Sequence, residues 1–202
     1  MSDPKQPLRI VCDSREQWPF RFEGYPVEVT VGTLATADYS LVGFTDRIGI
    51  ERKSMQDLIH CLGPDRERFT RELQRLRGFD AACIIVEQPQ SVLRLGHFRS
   101  RMDAGAAWQS CIALSMRYRI PFWFCESRQD AERVAYDFLR HFHRDRIREL
   151  EALRIPARIA PERQTAQGPG AGVEGKPDTP ESRTEGKANS TAPTAISTGA
   201  GT

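Results

Sequence analysis

A chain of 202 residues holds one domain, or a domain and a half. Its 29 Lys+Arg against 27 Asp+Glu give a net charge of +2, which argues against a protein that coats nucleic acid by charge alone. Five scattered cysteines with no Cys-x-x-Cys pair argue against a disulfide framework or a zinc site, and read as core residues in a reducing compartment.

The elements follow in chain order. Leu8–Cys12 is a short apolar strand ending at Asp13-Ser14-Arg15-Glu16, and Asp13 there could simply close the strand through an Asx turn. Val27–Val31 alternates with period 2 and predicts a half-buried strand, and Asp38–Val42 a third. Ile48–Lys53 is a fourth, running straight into a helix that starts at Ser54 with Asp57 at capping-box spacing. Met55, Leu58, Ile59 and Leu62 form its apolar stripe, and Gly63-Pro64 ends it. A second helix spans Asp65 to Gly78 with Phe69, Leu73 and Leu76 inward. Ala82–Val86 is continuously apolar, as a strand buried on both faces would be. A helix over Ala104–Arg119, a strand at Phe122–Cys125 and a long helix from Asp130 to about Arg154 complete the pattern. Strands first, then strands alternating with helices, predict an α/β fold with a mixed sheet flanked by helices.

Beyond that the composition changes. Positions 156–202 hold no Phe, Tyr, Trp, Leu, Met or Cys, so this stretch cannot bury enough apolar surface to offset its ordering entropy. We expect one domain over 1–155 and a disordered, low-complexity C-terminal tail over 156–202. The Met-Ser-Asp-Pro-Lys start carries no signal peptide and no run approaches about 18 apolar residues, so the expectation is a soluble, cytoplasmic chain with no membrane partner.

The chemistry concentrates around one strand. Residues two apart in a strand face the same way, so Glu51 and Lys53 share a side while Ile50 and Arg52 take the other. Asp38 precedes Glu51 by twelve intervening residues, and Asp…Glu-x-Lys can hold a divalent cation and a water with an ammonium beside them. Lys53 is the only lysine between Lys5 and the tail, whereas arginines abound. The same residues, taken bare, could be a solvated strand face. Asp57 is also explained as the partner of Ser54 in a cap. Arg68, Arg71 and Arg75 fall at i, i+3, i+7, a stripe that either tracks phosphates or pairs with Glu67 and Glu72 in solvent. His141 and His143 do not share a helix face and read as surface residues. Trp18, Trp108 and Trp123 read as core, with Trp18 placed so that it could border a DNA channel.

The run Asp13-Ser-Arg-Glu16, Asp38-Tyr39 and Ile50-Glu51-Arg52-Lys53-Ser-Met-Gln-Asp57 resembles the nuclease domain of the XPF family of structure-selective DNA endonucleases, marked by Gly-Asp, a spacer and Glu-Arg-Lys-x-x-x-Asp. Arg68-Phe69 and Arg75-Leu76 look like family positions too, and the likeness runs from Arg9 to Arg154. It implies a restriction-endonuclease-like fold. It implies a metal-dependent endonuclease that hydrolyses DNA phosphodiester bonds, at branched or flap DNA in repair or recombination. By this resemblance Asp38 and Glu51 ligate Mg²⁺ or Mn²⁺, Lys53 serves the water, and Asp13, Arg15, Glu16, Arg52 and Asp57 complete the catalytic set. Arg68, Arg71 and Arg75 would bind DNA. Ala37 replaces the family's glycine before Asp38, which is tolerated unless the backbone needs positive φ. No helix-hairpin-helix pair is expected after Arg154, so a homodimer or a DNA-binding partner protein would supply further grip. The rival readings are a non-catalytic DNA-binding or scaffold subunit of the same fold, and a restriction or junction-resolving nuclease.

Overall fold

The computed structural model describes residues 7–154; the expected tail and the boundary at 155 lie outside the described residues. The strands are β1 (Leu8–Asp13), β2 (Val27–Gly32), β3 (Tyr39–Leu41), β4 (Ile48–Lys53), β5 (Ala81–Val86) and β6 (Phe122–Phe124). The helices are α1 (Met55–Leu62), α2 (Arg66–Leu76), α3 (Gln90–Arg94), α4 (Ala104–Tyr118) and α5 (Arg128–Arg154). The six strands form one sheet in the order β2-β1-β3-β4-β5-β6. Only β3 runs against its neighbours, so the carboxyl ends of the other five strands lie along one rim of the sheet.

Both faces are covered, as the pattern predicts. Ile84 and Val86 pack with Met55, Leu58, Phe69 and Leu73 on one side. Cys83 and Ile85 pack with Ile50, Ala131, Ala135 and Leu139 of α5 on the other. The alternation in β5 thus sends successive side chains into two cores, and that is why its sequence is apolar throughout. All five cysteines are buried and free.

Several expectations need correction. β2 is not half-buried: it is an edge strand whose residues 28–31 are all exposed, Val29 and Val31 included. Its alternation matches a strand, but at the edge of the sheet only Val27 reaches the core. Trp18 and Trp123 are not core residues, being 73% and 47% exposed. The long helix begins two residues earlier, because Ser127 caps it: the Asp130 N–H donates to Ser127 Oγ while the Glu126 N–H donates to the Asp130 carboxylate. The short α3 was not anticipated. Ala37 takes φ +73°, so the backbone before Asp38 does need the left-handed region. Its buried methyl is accommodated by Gly49, where an added Cβ would stand 3.0 Å from that of Ala37. Among the described residues no helix is long and apolar enough to cross a membrane.

Candidate active site

The site forms on the rim where β1, β3 and β4 meet. Asp13 ends β1, Glu51 and Lys53 end β4, and Asp38 precedes the reversed β3, which brings it to the same rim. Backbone bonds lock this arrangement: the Asp13 N–H donates to the Asp38 carbonyl, and the Asp38 N–H donates to the Ile50 carbonyl. Open α/β sheets bind ligands outside the carboxyl ends of their strands, and here a cleft of about 410 Å³ opens there, lined by Asp38, Glu51, Arg52, Lys53, Asp57 and Arg68 among others.

Glu51 and Lys53 do share a face. Lys53 Nζ lies 2.7 Å from Glu51 Oε1 and 3.8 Å from the Glu72 carboxylate, with the Phe69 ring 5.0 Å away. Burial opposes the charge on Lys53, but Glu51 and Glu72 outweigh it and raise its pKa, so it stays an ammonium. Burial is also the chief cause that pushes Glu51 up, with Lys53 opposing and Glu72 adding to the rise. Asp38 is pushed up to about 8, first by burial and then by Glu51. One Asp38 oxygen accepts the Arg52 N–H at 2.8 Å. The buried Glu51 and the half-buried Asp38, both resisting ionisation, are oxygen donors lacking a positive charge, which is what a hard divalent cation supplies. Asp38 and Glu51 are the residues that would offer oxygens to such an ion. Among the described residues no group of three or more His, Cys, Asp or Glu is arranged to hold a metal.

The remaining expected residues divide by what they touch. Asp13 has an Asx-type bond from the Arg15 N–H, as its strand-end position suggested, but also accepts from Arg15 Nε and Nη2 and from the Leu34 N–H. Arg15 donates onward to the Leu34 carbonyl. Asp13 therefore ties down the loop between β2 and β3 that delivers Asp38. Arg52 points to the opposite face from Lys53 and is held by Glu16 through two bonds of 2.9 and 3.0 Å, and by Glu87 at 3.0 Å. Burial works against the Glu16 charge, yet the Arg52 bond keeps its pKa below the usual range. Asp57 completes the cap on α1, its N–H donating to Ser54 Oγ while that hydroxyl donates to its carboxylate, and it also edges the cleft. Arg68 lines this cleft and, with Arg75, an adjoining one beside Glu51 and Glu72; Arg71 lines neither. His141 and His143 are exposed on α5.

Sequence reasoning missed two partners. Glu87 follows β5 directly and pairs with both Arg52 and Arg128. Arg128, at the start of α5, also donates to the Trp18 and Pro19 carbonyls. The chain Glu16–Arg52–Glu87–Arg128 thus fastens the Asp-Ser-Arg-Glu loop to the second core. A carboxylate just after a buried parallel strand, as at Asp13, was the signal available for Glu87.

Comparison with known proteins bears on the family and the fold. The family model described as ERCC4 domain matches residues 12–138. The chain belongs to the ERCC4-domain family. It shares the XPF-type nuclease fold with XPF from Aeropyrum pernix, at 26% identity and a TM-score of 0.53, over 65% of this chain and 60% of that one. The same protein in complex with DNA matches at 26% identity and a TM-score of 0.54, over 68% of this chain and 66% of that one. A protein of Methanocaldococcus jannaschii that carries the name of an ATP-dependent RNA helicase is 24% identical over 152 residues, 75% of this chain and 18% of its own length. The ERCC4-domain chain therefore spans under two thirds of each of these relatives.

Proposed function

We propose that this ERCC4-domain chain is a divalent-metal-dependent endonuclease that hydrolyses DNA phosphodiester bonds, at branched or flap DNA. The observation that carries the reading is the convergence of Asp38, Glu51 and Lys53 in one open cleft at the strand ends. A scaffold subunit would have no need of a buried ammonium held between the carboxylates of Glu51 and Glu72. The DNA complex of the Aeropyrum pernix relative supports DNA as the substrate. Asp38 and Glu51 would hold Mg²⁺ or Mn²⁺, which when bound supplies charge to the scissile phosphate and acidity to a water. Lys53, fixed by Glu51, orients that water and offsets negative charge gathering on the phosphate oxygens. Arg68 and Arg75 lie where they can contact flanking phosphates. Arg52, Glu16 and Asp13 position the loops. Incubating the chain with duplex, flap, fork and four-way-junction DNAs, with and without Mg²⁺ or Mn²⁺, tests this. Cation-dependent cleavage of branched forms supports the reading, cleavage of plain duplex alone points to a restriction-type nuclease, and no cleavage of any form sinks it.

The cation should also be visible without catalysis. A folded pKa raised to about 8 means that Asp38 favours folding below its ordinary value of 3.8, and that this contribution is lost as pH rises through 8. The metal-free protein should therefore lose stability over that window, and Mg²⁺ should restore it. We expect Mg²⁺ to raise Tm by a few degrees near about pH 8.5 and much less near about pH 6. Asp38→Asn should flatten the dependence. A shift that is equal at both pH values would remove Asp38 from the cation site.

We also infer that the chain works as a pair. Burial along α5 ends at Phe142, while Leu150 and Leu153 are 54% and 82% exposed on the same helix. An apolar groove, lined by Trp108, Ile112, Met116, Phe122 and Phe124, lies between α4 and β6. Light scattering at micromolar concentration should give a dimer mass, and the double change of Leu150 and Leu153 to Glu should give a monomer. A monomer for the unmodified chain with full cleavage activity rules pairing out.

A further inference from the structure

Trp18 lines the cleft and is 73% exposed, an arrangement that costs hydrophobic free energy unless something covers it. Its backbone, by contrast, is tightly held. The Trp18 N–H donates to Glu16 Oε1, and the Trp18 and Pro19 carbonyls accept from Arg128 Nη2. The next residues are fixed as firmly: the Phe20 N–H donates to the Tyr39 hydroxyl, and the Phe20 ring stacks on Tyr39 with the Arg128 guanidinium over it. A rigid segment thus presents one large aromatic face to solvent.

The surroundings say what that face is for. Its companions on the cleft wall are charged or polar, among them Arg15, Gln17, His60 and Arg68. This differs from the apolar groove between α4 and β6, where a protein surface would find aliphatic neighbours. A flat π face on a cleft wall that also carries Arg15 and Arg68, beside the carboxylates of Asp38 and Glu51, matches a nucleotide: base on the ring, phosphates on the arginines. Bases within a duplex are already stacked and offer only their edges. We infer that Trp18 is a stacking platform for an unpaired base next to the scissile phosphate, so that the chain itself selects strands with unpaired nucleotides. The inference rests on the reading of the cleft as a DNA site, but not on cleavage.

The test is therefore made on binding. Unmodified chain, Trp18→Ala and Trp18→Phe are titrated, in chelator and at low salt, into a labelled run of thymidines and into a labelled duplex of equal length, with fluorescence anisotropy as readout. One stacked base corresponds to between about fivefold and a hundredfold in affinity. We expect Trp18→Ala to weaken binding of the unpaired strand about tenfold or more and leave duplex binding unchanged, with Trp18→Phe restoring most of the loss. Equal affinity of Trp18→Ala and the unmodified chain for the unpaired strand overturns the inference. So does an equal loss on both DNAs, or an unmodified chain that binds no unpaired strand. The indole buries little against the protein, so circular dichroism should show Trp18→Ala fully folded. A parallel cleavage assay with Glu51→Gln separates the two claims: if the unmodified chain does not cleave, the nuclease reading fails while the binding result still decides on Trp18.

Discussion

Glu51→Gln should abolish cation-dependent DNA cleavage while the protein stays folded. The amide is isosteric with the carboxyl, and Lys53 keeps Glu72 as a neighbour, so packing at the end of β4 is preserved. What disappears is the ionisable oxygen that a divalent cation needs and the charge that holds Lys53 at 2.7 Å. Loss of one preorganised electrostatic group at a reacting centre costs roughly a hundredfold to a thousandfold, and here cation and ammonium are both disturbed, so the loss should reach at least about a thousandfold. Asp38→Asn should behave alike. Steady-state cleavage with purified variants, with melting curves alongside, measures both halves of the statement. A near-normal rate in either variant would remove the central assignment.

Asp13→Ala should act differently, through stability first. The Asp13 carboxylate is buried and accepts from four donors, two of them backbone N–H groups. Truncation strands the buried Leu34 N–H, at a cost of about 1–3 kcal/mol, and releases the loop that carries Ala37 in its left-handed conformation. The ion pair to Arg15 adds little, because that side chain is mostly exposed and screened. A total near 3 kcal/mol should lower Tm by roughly 10 °C in a domain of this size. The Arg15 bond is the main cause that holds the Asp13 pKa down at about 2, against its ordinary value of 3.8. A depressed carboxylate pKa contributes stability that is complete above the unfolded value and is lost as pH falls from about 4 through about 2. The gap between the unmodified chain and Asp13→Ala in urea melts should therefore be widest near neutral pH and narrow as pH falls from about 4 through about 2. Equal melting temperatures at neutral pH would show that the loop is held by something else.

These contrasting outcomes come from residues that the sequence places side by side in one motif. Asp13, Arg52 and Asp57 look equivalent to Asp38, Glu51 and Lys53 when read along the chain. In space, however, Asp13 staples a loop, Arg52 joins an ion-pair chain to Glu16 and Glu87, and Asp57 closes a helix cap.

Local periodicity and capping depend on neighbours within a few residues, and so the sequence alone determined most elements, the two-sided burial of β5, the Ser54 cap and the shared face of Glu51 and Lys53. The family motif carried the candidate site for a related reason, since Glu51 and Lys53 sit two apart on one strand. Contacts between distant segments carry no such local signature. The reversal of β3 alone brings Asp38 to the rim beside Glu51, and it depends on pairing with both β1 and β4. Whether a period-2 strand is covered depends on what packs over it, so β2 could read as half-buried and yet lie exposed at the edge. The left-handed turn at Ala37 is set by the loop it closes and by the space at Gly49, twelve residues away. Likewise the grip of Arg128 on the Trp18 carbonyl, across 110 positions, exists only once α5 has docked on the sheet.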